Sequence, residues 1–187
     1  MRPIVLAIFV FFYIFSFPVA AQETTSTSSA ESSIKTIHYP LPYPGILPTS
    51  PIYPFKMLRD RIIGYLIADP LKKSEFLLLQ ADKRLQAGVT LLLRDKSHST
   101  LALSTISKGE NYFSESLDEV MIAKKQDRDI YDMGVKLSVA ARKHEETLLS
   151  IDKSVPSSER ENYEKELGRV REYIKRAKPL MIRESSK

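Results

Sequence analysis

His38, His98 and His144 are the only histidines in the chain, and only His144 falls where chemistry would be interesting. It lies on an apolar seam, Ile130, Met133, Leu137, Ala141, His144, Leu148 and Ile151, spaced by threes and fours as on one face of a helix. A metal-binding histidine needs partners at a defined spacing. His144-Glu145-Glu146-Thr147-Leu148 lacks the second histidine of His-Glu-x-x-His. The residue three before it is Ala141, so the Glu-x-x-His pair of di-metal bundles is absent too. Glu145 and Glu146 point to other sides of the same helix. The expected role of His144 is that of a core histidine satisfied by its surroundings.

Other chemistries fare no better. Serine is plentiful, but no Gly-x-Ser-x-Gly elbow occurs. Ile106-Ser107-Lys108-Gly109-Glu110 has neither the glycines nor the preceding strand of a phosphate loop. The carboxylates of Glu110, Asp118 and Glu119 are expected on solvated helix faces. The complete absence of cysteine removes disulfides, thiolate zinc sites and a thiol nucleophile. No catalytic residue, cofactor or metal is therefore assigned, and the chain reads as non-enzymatic. A basic cluster, Arg169, Arg171, Lys175, Arg176 and Lys178, stands near the end of the last helical pattern. Cations there complement the helix dipole. They could also contact an anionic envelope component, although Glu161, Glu164, Glu166 and Glu172 dilute the patch.

The elements that would position these residues are set by two proline junctions. Proline fixes φ near its helical value and lacks an N–H, so it suits a first helical turn. Ser50 or Tyr53 can cap a first helix, with Pro51 or Pro54 in its opening turn and an apolar set of Phe55, Leu58, Ile62, Tyr65 and Leu66. Asp69 is a good N-cap and Pro70 a good first residue for a second helix, which leaves almost no loop between the two. That second helix reads to about Asp95 on Leu71, Ser74, Leu78, Ala81, Leu85, Gly88 and Leu92. A third is expected from a Ser99 cap to about Lys124 on Ala102, Ile106, Gly109, Phe113, Leu117 and Val120, with Gly109 marking a close helix crossing. Lys125 to Asp129 is a charged break before the His144 helix, and the alternative is that the third and fourth helices run partly on through it. Ser158 and Glu161 match a capping box for a last helix, whose seam is Tyr163, Leu167, Val170, Ile174, Ala177 and Met181 and which Pro179 ends or kinks. No segment alternates with period two between hairpin turns. The expected fold is all-α: an antiparallel bundle of four long helices plus a short N-terminal helix, preceded by a proline-rich arm.

Leu47-Pro48-Thr49-Ser50-Pro51-Ile52-Tyr53-Pro54-Phe55-Lys56, followed by Asp69-Pro70 with Lys73, Glu75 and Leu78, resembles the opening of a family of secreted bacterial all-helical domains. Lys143-His144-Glu145 with Leu148 fits the same resemblance, which covers about residues 47–171. It implies an exported helical domain and carries no activity or catalytic residue with it.

Export is also read directly. Residues 1–21 have the form of a signal peptide: Arg2, an apolar run from Ile4 to Phe17, and Val19-Ala20-Ala21 before Gln22. The alternative is an uncleaved N-terminal anchor. Residues 22–37, rich in Ser and Thr, read as a tether, residues 38–53 as a proline/tyrosine-rich arm, and residues 54–182 as the helical domain. A formal net charge of +5 would suit an anionic partner, and export argues against nucleic acid. The expectation is a secreted or extracytoplasmic interaction module engaging an envelope protein or anionic envelope component, with no membrane span after cleavage. A small-molecule or metal carrier, using the bundle interior near His144, is the alternative.

Overall fold

The computed structural model describes residues 38–182; the expected signal peptide and tether lie outside them. Among the described residues there are five α-helices and no strands: α1 (Tyr53–Leu66), α2 (Pro70–Arg94), α3 (Ser99–Lys125), α4 (Tyr131–Ile151) and α5 (Arg160–Ala177). Short 3-10 turns at Lys96–His98, Asp152–Ser154, Ser157–Glu159 and Lys178–Met181 join or extend them.

The Asp69-Pro70 junction forms as its chemistry dictates. Asp69 is extended, and its Oδ1 accepts from the N–H groups of Leu71 at 2.9 Å and Lys72 at 3.0 Å, two donors the helix itself cannot satisfy. The Arg128 guanidinium donates to its other oxygen at 2.8 Å. The Lys72 N–H and then Arg128 hold the Asp69 carboxyl below its ordinary pKa. Pro70 follows as the first, buried residue of α2.

Three expected caps do not form. Pro54 sits in the first turn of α1, but the residue ahead of that helix is Ile52, with no side-chain cap. Ser50 is taken up in a turn, donating its N–H to the Leu47 carbonyl and accepting from the Tyr53 N–H with its own. Ser99 is the first residue of α3 rather than its cap, because Asp95 starts a 3-10 turn just before it. Ser158 is likewise absorbed into a 3-10 turn, so α5 opens at Arg160 without a capping box. The charged break is real: Asp127 adopts φ 55, a left-handed turn residue that separates α3 from α4. At the far end, Pro179 follows the close of α5 and lies in the last 3-10 turn.

The bundle is two helical hairpins, α2–α3 and α4–α5, packed face to face. α2 meets α3 and α4, α5 also meets α3 and α4, and α3 and α4 touch little despite being consecutive. Within the α2–α3 hairpin the two helices close on glycine. At Gly88 an added Cβ would sit 2.7 Å from the Ala102 carbonyl, and at Gly109 it would sit 3.1 Å from that of Ala81. With both side chains missing, α2 and α3 approach backbone to backbone. Ser74 and Ser116 close the same pair near its other end by donating to each other's carbonyls at 2.9 and 2.8 Å. The seams read from the sequence line the core: Leu78, Ala81, Leu85, Ile106, Phe113, Leu117, Leu137, Ala141, Leu148, Tyr163 and Val170 are all fully or almost fully buried.

α1 folds back along α2. Gly64 lies against Phe76, and the Tyr53 hydroxyl accepts from Arg84 at 2.8 Å. The one buried residue of α1 is Asp60, ion-paired to Arg59 at 2.7 Å. An apolar set at helical spacing ordinarily faces a core; here it faces away from one. Phe55, Leu58, Ile62, Tyr65 and Leu66 are 74, 57, 51, 89 and 72% exposed.

Candidate functional site

Two features stand out once the helices are placed: a polar layer inside the bundle and an apolar stripe outside it.

The layer centres on His144, which is completely buried. Its Nδ1 lies 3.0 Å from Glu110 Oε1 on α3, and its Nε2 lies 2.9 Å from Asp82 Oδ1 on α2. With both carboxylates ionised, each can only accept, so both ring nitrogens donate and the ring is an imidazolium. Burial pushes the His144 pKa down, but Glu110 and Asp82 outweigh it and raise it to about 9. From α5, Tyr173 donates its hydroxyl to the Glu110 backbone carbonyl at 2.8 Å. The Phe113 ring stands edge-on to His144 at 5.0 Å and stacks on Tyr173 at 5.1 Å. From the arm, Tyr39 donates to the second oxygen of Asp82 at 2.7 Å, and burial followed by Asp82 drives its own pKa far up. The second oxygen of Glu110 is buried without a partner. All four long helices and the arm thus meet in one layer.

His144 is therefore the satisfied core residue that its seam implied. Glu110 is a correction: expected on a solvated face, it is wholly buried. Asp118 does lie at the surface, and Glu119 is half-buried against Lys73 at 2.6 Å. Asp82 was not singled out at all. A signal for both was present, since Leu78-Asp82-Leu85 and Ile106-Glu110-Phe113 each put a carboxylate on a four-three seam.

While its two nitrogens donate to carboxylates, His144 has no lone pair to offer a metal. No group of three or more His, Asp or Glu among the described residues is arranged to hold one. Near the layer, Tyr39, Pro40, Pro42, Leu78, Leu79 and Asp82 line a shallow groove of about 270 Å³.

The basic cluster is spread over the surface and mostly tied down. Arg169 donates to Glu166 at 2.9 Å and Asn111 at 2.7 Å. Arg171 reaches Glu145 at 2.9 Å, and Arg176 reaches Asp118 at 2.7 Å. Lys175 pairs with Glu172 at 3.6 Å, and Lys178 is exposed in the last turn. Arg169, Arg171 and Arg176 fasten α5 to α3 and α4. Arg176 also borders a groove of about 350 Å³ with Leu117, Met121, Pro179 and Leu180.

The outer feature is the α1 stripe. At 100° per residue its five exposed apolar side chains fall within about 100° of arc, with Arg61 along one edge and Arg59 along the other. The opposite face holds the groups that fasten the helix. Lys56 donates to the Pro44 carbonyl at 2.9 Å, Tyr53 meets Arg84, and Asp60 is buried. Tyr43, in the arm, is also exposed, at 84%. No helix among the described residues is long and apolar enough to cross a membrane.

Comparison with protein-family models, with curated proteins and with solved structures finds no match for this chain.

Proposed function

We propose that this chain is an exported, non-enzymatic helical interaction module that engages its partner through the outward face of α1. The observation that carries the reading is the inverted packing of that helix. Tyr53, Lys56, Asp60 and Gly64 lie on the fastened side, while Phe55, Leu58, Ile62, Tyr65 and Leu66 face solvent. Exposed apolar surface of this extent on one element costs solubility and marks interaction sites. The bundle beneath supplies a rigid platform, since its core is closed and its central charges are paired. Residues 1–21, with the form of a signal peptide, and the resemblance of the proline junctions to secreted helical domains support an extracytoplasmic setting. The carrier alternative gains nothing from the geometry: the interior around His144 is filled by Phe113, Tyr173 and two carboxylates.

The test is capture from envelope extracts of the producing cell by the whole chain and by a Leu58→Asp, Ile62→Asp variant. The reading expects the variant to melt like the parent and to lose the bound component. Undiminished capture by the variant would refute it.

A further inference from the structure

We propose that the surface to which α1 docks is an anionic lipid bilayer, with the helix lying flat in the interface. This deepens the reading above and rests on it. α1 is 14 residues long, about 21 Å at 1.5 Å per residue, too short to span a hydrocarbon core of ~30 Å and suited to lying in its boundary. Its outward face has the composition such a position requires. Phe55, Leu58, Ile62 and Leu66 form an apolar strip, and Tyr65, 89% exposed, adds an amphipathic ring of the kind enriched at headgroup level. Arg59 and Arg61 bracket the strip, one on each edge. Arg61 supplies a cationic side chain that can rise from the apolar boundary to phosphates, while Arg59, 65% exposed, is shared with the buried Asp60 at 2.7 Å.

Charge decides against a second copy of the chain. The only acid on α1 is Asp60, which is buried against the bundle. A second α1 laid on the first would bring its unrelieved Arg61 edge against another basic edge, since the one carboxylate of each helix, Asp60, is already held by Arg59. An anionic surface meets both edges favourably. The sequence adds a compatible feature upstream: the apolar run Ile4 to Phe17 has the form of an export signal, and an exported chain meets a membrane on its way.

The chain contains no tryptophan, so one introduced indole reports a single place. Tyr65→Trp puts it on the stripe. Glu172→Trp puts it on α5, across the bundle from α2. Both are made in the full chain, so an apolar N-terminus acts equally on each. Emission is followed with vesicles of phosphatidylcholine alone and of phosphatidylcholine mixed with phosphatidylglycerol, with and without brominated acyl chains. The expected result is a blue shift and bromine quenching for Tyr65→Trp on the mixed vesicles, weakened by salt and lost when Ile62→Asp is added. Arg61→Glu should reduce it as well, with thermal melts of both added variants unchanged. Glu172→Trp should stay at its aqueous emission. An indole at position 65 that stays aqueous on vesicles overturns the proposal, and so does an equal response on phosphatidylcholine alone. A blue shift that grows with protein concentration without lipid overturns it in favour of self-association. If vesicles leave the indole unmoved while stripe-dependent capture from envelope extracts persists, the lipid inference falls and the interaction reading stands. If both are negative, both fall.

Discussion

His144 binds the bundle together by charge, and this has a definite pH signature. Its folded pKa, about 9, lies above the unfolded value of about 6.5. The stabilisation is therefore full below pH ~6.5 and lost as pH rises through about 9, and it amounts to on the order of 3 kcal/mol. Urea melts at pH 6.5 and 9.5 should show that loss. Replacing His144 by leucine leaves Asp82 and Glu110 buried without their cation, a change costing about 3–5 kcal/mol at neutral pH. Protonation relieves the two stranded carboxylates, so the variant also gains stability as pH falls; what it lacks is the parent's own loss as the imidazolium titrates through about 9. A parent whose stability does not fall between pH 6.5 and 9.5 would mean that His144 is neutral in the fold. Asp69 gives a second test at this scale. Asp69→Ala should melt below the parent and Asp69→Asn close to it, because asparagine keeps the accepting oxygen and loses only the exposed Arg128 pair. An alanine variant that melts like the parent would remove the cap from the account.

Among the elements, α1 and α2 carry similar apolar periodicity and opposite fates. Leu85 on α2 is fully buried, and Leu58 on α1 is 57% exposed. Leu85→Ala should cost about 2–5 kcal/mol and Leu58→Ala within ~0.5 kcal/mol. Equal losses in urea melts would place the α1 face in a core. Glycine separates the elements in the same way. At Gly88 a methyl group would meet the Ala102 backbone, so Gly88→Ala should destabilise, whereas at Gly168 nothing lies within 4 Å and Gly168→Ala should stabilise by about 0.5–1 kcal/mol. The seams of α2 to α5, the glycine crossing and the Asp69 cap were legible because each is a short-range pattern. The partners of His144 were not, because Asp82 and Glu110 are brought to it from other helices, 62 and 34 residues away in the chain. Nor could periodicity say which way α1 faces. That is set by Tyr53 and Lys56, whose partners on α2 and the arm appear only in the folded chain, and by the burial of Asp60.

For the whole molecule, the bundle is a platform held by packing and one charged layer, with no cysteine to staple it. It presents α1 and the arm on one side of α2. The expected processing, cleavage between Ala21 and Gln22, would be read by N-terminal sequencing of exported material; recovery of Met1 in membranes would show retention by an anchor. The outward face of α1 is the claim on which the functional account stands. Since the chain has no cysteine, single substitutions Ile62→Cys and Leu85→Cys can be alkylated in the native protein and after urea unfolding. The account predicts that Ile62→Cys reacts in the native protein nearly as fast as when unfolded, while Leu85→Cys is protected. Protection of Ile62→Cys to the level of Leu85→Cys would contradict it.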